Sequence, residues 1–88
     1  MPSHDEKIEQ VTEILDRVAE DMSVPRNIRK SAEEAKEALL EEEDDEVVKA
    51  ASAISILDDI SNDPNMPVHT RTTIWNALSV LETIKEEE

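Results

Sequence analysis

The sequence predicts an all-α protein whose four helices pair as two antiparallel helical hairpins in a four-helix bundle-like domain. Three observations carry that reading. The 88 residues include no glycine and one aromatic residue, Trp75, among many Ala, Leu, Ile, Glu and Lys. That is the composition of helices, without the alternating β-branched and aromatic runs that build sheets. Apolar residues recur at steps of three and four, the spacing that lines one face of a helix. Finally, the chain repeats itself at an offset of 42 residues.

The first helix is predicted from about Asp5 to Asp21. Ser3 and Glu6 have the S-x-x-E spacing of a capping box, and Ile8, Val11, Leu15, Val18 and Met22 line one face. Pro25 fits the first turn of the second helix, where its missing N–H costs nothing, and it pushes Val24 out of the helical region. Ile28, Ala32, Ala35 and Leu39 then form a buried stripe. Glu41, Glu42, Glu43, Asp44, Asp45 and Glu46 oppose the macrodipole at the end of that helix but favour the start of the next one. The run therefore reads as an exit followed by an entry. The third helix, about Asp45 to Ser61, carries Val47, Val48, Ala50, Ala51, Ala53, Ile54, Ile56, Leu57 and Ile60. This arc is too wide for one-sided burial, which places the helix in the middle of the fold. The fourth starts near Pro67 and carries Ile74, Ala77, Leu78, Leu81 and Ile84 ahead of the acidic residues 86–88.

At the offset of 42, without a gap, Ile14, Leu15 and Asp16 fall on Ile56, Leu57 and Asp58, Asp21 on Asp63, Pro25 on Pro67, Arg29 on Arg71, Ala35 on Ala77 and Leu39 on Leu81. The chain is read as one domain, residues 1–88, containing internal repeats of about 5–43 and 45–88. In each, an apolar helix leads to a turn entered through an aspartate, and a proline opens a second helix that carries an arginine. Asp21, Pro25, Arg29, Asp63, Pro67 and Arg71 are thus the candidate structural turn residues. Such a hairpin resembles the HEAT repeat, although each aspartate here lies eight residues before its arginine, further than in the typical repeat. At VPRNIRKSAEEA and again at NDPNMPVHTRTTIWN the chain is similar, nearly end to end, to a family of small archaeal proteins, uncharacterised protein family 0147. The resemblance implies an all-helical fold and an archaeal cytoplasm. It brings no activity, cofactor or site.

The formal net charge is −14. A phosphate backbone demands a basic footprint, and the nine Lys and Arg are scattered, so neither nucleic acid nor an anionic membrane surface is expected as a partner. Such a surface either attracts basic partners or serves solubility in a salty or hot cytoplasm. With no cysteine there is no disulfide framework, thiolate metal site or thiol nucleophile. The opening MPSHDEKIEQ lacks the apolar core of a signal peptide, and no stretch approaches the roughly 20 apolar residues of a membrane span. A cytoplasmic protein is expected.

Catalytic chemistry needs a base, and histidine occurs only at His4 and His69. No Ser-His-acid set follows from the spacing, and without glycine there is no phosphate-cradling loop. Glu9, Glu13, Glu33, Glu34 and Glu37 fall on polar helix faces. The acidic run 41–46 lacks the ligand alternation and glycine of a calcium loop, and the inward Glu-x-x-His pairs of di-metal bundles do not occur. No catalytic, cofactor-binding or metal-ligating residue is therefore predicted. A cleft joining His69 to inward-facing carboxylates is the arrangement that would reopen an enzymatic reading.

Comparison of the repeats is more informative. Glu33 corresponds to Trp75, Lys36 to Leu78, Glu6 to Val48 and Glu9 to Ala51. What is charged in the first repeat is apolar in the second, although the terminal helix of a repeat stack should present a polar outer face. Trp75, Leu78, Val48 and Ala51 are the candidate interface. Three accounts are open: packing inside a closed bundle, self-association, or reception of another protein. If the ring is fully buried, Trp75→Ala should cost a few kcal/mol of stability. A chain of this size buries only about 60–65 % of its unfolded surface, so a second copy would add needed stability. The leading functional expectation is a noncatalytic protein-interaction module, a homodimer joined through the fourth helix. The alternative is an acidic binding partner of a basic protein, such as a ribosomal or chromatin-associated one.

Overall fold

A computed structural model describes the backbone of residues 4–86 and the side chains of residues 5–85. It contains α1 (His4–Glu20), α2 (Arg26–Leu39), α3 (Glu46–Ser61) and α4 (Val68–Glu86), with no strand among the described residues. The all-α class and the four predicted helices are thus observed. Ser3, half of the expected capping box, lies outside the described residues.

Local chemistry explains the boundaries. Pro25, at φ −54° and ψ 148°, stands just before α2 and its carbonyl accepts from the N–H groups of Ile28 and Arg29. The last turn of α2 closes when the Leu40 N–H donates to the Lys36 and Glu37 carbonyls, both at 3.1 Å. Of the acidic run, Asp45 supplies the entry to α3: its carboxylate accepts the Val48 N–H at 2.9 Å, satisfying a donor that the first helical turn leaves free.

The helices close into a ring. α1 packs on α2 and α4, and α3 packs on α2 and α4. The short connections make this an up-down-up-down bundle, with the two tight turns at one end and the acidic 40–45 loop at the other. A radius of gyration of 12.1 Å equals the value expected of a compact chain of this length, about 12 Å, which an open two-hairpin stack would exceed. The core runs along the axis through Val11, Leu15, Ile28, Ala35, Leu39, Ala53, Leu57, Ile74, Ala77, Leu81 and Ile84. Val24 and Met66, at equivalent places in the two turns, plug the turn end.

Ring closure corrects two expectations. α3 is not central. In a ring each helix touches two neighbours and buries one stripe, so α3 buries Ala50, Ala53, Ile54 and Leu57 while Val48 stays exposed and Val47 and Ala51 are half-buried. Met22 does not extend the α1 stripe: α1 has ended, the chain has turned, and Met22 is exposed.

Candidate functional site

Each turn is built around its aspartate. The Asp21 carboxylate accepts the backbone N–H of Ser23 at 2.9 Å and the Ser23 hydroxyl at 2.6 Å, while Asp63 accepts the Asn65 N–H at 2.8 Å. Each arginine then ties its helix back to the turn through carbonyls. Arg29 Nε donates to Val24 at 2.9 Å, and Arg71 donates to Ser61 at 2.6 Å and Asp63 at 3.3 Å. The acids and arginines of the turns therefore meet through backbone groups rather than as side-chain ion pairs.

The two turns also clasp each other. Asn27, in the first turn of α2, donates to the Asp63 carboxylate at 2.7 Å. Its counterpart at the offset of 42, His69 in α4, lies 3.2 Å from the Asp21 carboxylate. The contacts exchange under the internal repeat, giving the bundle an approximate twofold relation between its halves. Hydrogen bonds from Ser23, then from His69, hold the Asp21 carboxyl down to about 2. Asp63 is likewise lowered, by the Asn65 N–H and then the Asn27 amide.

Beside the His69–Asp21 contact lies a cleft of about 250 Å³ between α1 and α4, floored by Ile14, Val18 and the buried Thr70 and rimmed by Arg17, Asp21, His69, Thr73 and Asn76. The site does join His69 to a carboxylate, as an enzymatic reading would require. Yet both partners sit at the solvated rim, with side-chain exposures of 62 % and 35 %. Among the described residues no group of three or more His, Asp or Glu could hold a metal ion.

None of the predicted interface residues lines this cleft, although Trp75 precedes Asn76 in α4. Trp75 is 57 % exposed and Val48 45 % exposed; Leu78 is half-buried against the core, and Ala51 is half-buried. Of the three accounts of the apolar face, packing inside the bundle is therefore excluded for Trp75. Sequence reasoning missed Val68, 81 % exposed and seven residues before Trp75, hence two turns away on the same side of α4. The seven-residue spacing was the available signal. Thr72 lies between them, exposed, and Ser79 continues the stripe.

Fold and surface together define a class: a small acidic four-helix bundle with internal twofold likeness and an outward tryptophan on its last helix. The model of Uncharacterised protein family (UPF0147) matches residues 1–84, and the chain belongs to that family. A UPF0147 protein of Pyrococcus horikoshii is 54 % identical over 86 residues, covering 97 % of this chain and 92 % of that protein. One from Methanocaldococcus jannaschii is 54 % identical over 81 residues, covering 92 % and 87 %. Among solved structures, the unknown-function protein MMP1188 superposes with a TM-score of 0.90 at 52 % identity, over 92 % of both chains. A UPF0147 protein from Thermoplasma acidophilum gives 0.84 at 36 % identity, over 89 % of this chain and 92 % of its own.

Proposed function

We propose that this protein is a noncatalytic interaction module of the cytoplasm that works as a homodimer, joined through the α4 face centred on Trp75. The observation that supports the reading is the exposure of Trp75 on the least acidic stretch available to it. Between Val68 and Lys85, α4 has a single acid, Glu82, against Arg71 and Lys85, whereas α1 carries Asp5, Glu6, Glu9, Glu13, Asp16 and Glu20. Two molecules of charge −14 repel, and they approach at least cost where carboxylates do not oppose each other. Tryptophan joins a large apolar area to one hydrogen-bond donor, which suits an interface anchor. A twofold contact would set each Trp75 near its mate.

Light scattering at low and high salt tests this. A dimer that survives high salt in the parent and becomes a monomer in Trp75→Glu, with helical content unchanged, is the expected result. A monomeric parent, or a dimer indifferent to Trp75→Glu, would sink the reading.

The exposed acids Glu41 to Asp45 at the opposite end favour the second reading, an acidic partner of a basic protein. Binding of that kind weakens steeply as salt rises, whereas contact through Trp75 is nearly salt-independent.

A further inference from the structure

The two halves provide an internal control for the α1–α4 cleft, because the offset of 42 carries its lining residues onto positions of α2 and α3. Three positions change character. At the offset of 42, Asp59 of α3 stands where the cleft has Arg17, Glu34 of α2 where it has Asn76, and Ile28 where it has Thr70. Two carboxylates and an isoleucine are replaced by a guanidinium, a carboxamide and a hydroxyl, all hydrogen-bond donors.

Those donors are unspent. Arg17 makes one long bond, Nε to the Glu13 carbonyl at 3.5 Å, which leaves the ends of its guanidinium free among the described residues. The Asn76 amide has no hydrogen-bond partner there. Thr70 is 2 % exposed, and its Oγ1 is sealed from solvent without a partner among the described residues. An orphaned hydroxyl in a core is costly, and the isoleucine at the equivalent position shows that the fold has no packing need for it. Asp21 is the one carboxylate on the rim, and it is already engaged by Ser23 and His69.

We propose that this cleft binds a small oxyanion, a carboxylate or phosphate group, through the Arg17 guanidinium and the Asn76 amide, above a wall that contains the buried Thr70. A volume of about 250 Å³ falls below the roughly 300 Å³ at which pockets begin to hold drug-sized ligands, so the occupant is small. The acidic surface opposes an approaching anion, but at 0.1 M salt the field of distant carboxylates is screened over about 10 Å. Nearby donors then decide, and charged hydrogen bonds from a guanidinium to an oxyanion are the strong kind. The proposal concerns the α1–α4 cleft, which none of Val68, Thr72 and Trp75 lines.

The test is a titration of the amide NMR spectrum of the full chain with sodium phosphate and, separately, sodium acetate, at constant ionic strength set with sodium chloride. Saturable shifts confined to the cleft residues Arg17, Thr70, Thr73 and Asn76 are expected in at least one arm. The arm that saturates identifies the phosphate or the carboxylate as the recognised group. In Arg17→Gln, which alters an exposed side chain and should leave the fold intact, affinity should fall about tenfold or more. The proposal is overturned if neither salt produces saturable shifts in the cleft, if Arg17→Gln titrates like the parent, or if Asn27, Ile28 and Glu34 shift equally.

Discussion

Asp21 shows how a single side chain contributes to the acid sensitivity of the fold. Its carboxyl is held at about 2 against an ordinary 3.8, so the folded form binds its proton less readily than the unfolded chain does. The stability this contributes is present above about pH 4 and is lost as pH falls toward 2; Asp63, lowered in the same direction, adds to it. Thermal melts between about pH 4 and pH 2.5 should therefore show a falling Tm, and Asp21→Asn should flatten the fall. An equally steep profile in that variant would place the acid sensitivity elsewhere. Thr70 works the other way. Replacing its orphaned hydroxyl by a methyl in Thr70→Val should raise stability by about 1 kcal/mol, or Tm by about 4–8 °C. A drop in Tm would mean that the hydroxyl is satisfied within the fold. Trp75→Ala, by contrast, removes a ring that is mostly in solvent, so in the monomer it should cost far less than the few kcal/mol expected of a buried one.

At the scale of elements, the acidic run 41–46 divides its work. Glu41 to Asp44 remain solvated, while Asp45 caps α3. Asp45→Ala should cost about 1 kcal/mol, read as a fall in Tm of about 4–8 °C, whereas Asp44→Ala should change little. Equal effects would remove the cap from the account. The α2 stripe Ile28, Ala32, Ala35 and Leu39 was legible because α2 is strongly amphipathic and every member is buried. α3 was harder, since an apolar arc of Val47 through Ile60 does not say which part of it a neighbour will cover. The cleft donors were not legible at all: Arg17 and Asn76 read as ordinary exposed residues, 59 positions apart, until α4 closes against α1.

For the whole molecule, a net charge of −14 on a body of 34 × 22 × 19 Å implies strong self-repulsion. Added salt should raise Tm by screening it, and a Tm that falls with sodium chloride would show instead that cross-helix ion pairs such as Lys36–Asp16 dominate. The sequence alone determined the helices, their approximate limits, the repeat and its turn residues. The helices and their limits depend on local chemistry: periodicity, proline and capping acids act within a few residues of themselves. Only the tertiary structure decided that the hairpins close into a ring, that Trp75 faces outward, and that Asn27 and His69 cross to the opposite turns. Those outcomes depend on which apolar stripe meets which, a competition between surfaces distant in the chain, and local spacing carries no information about the winner.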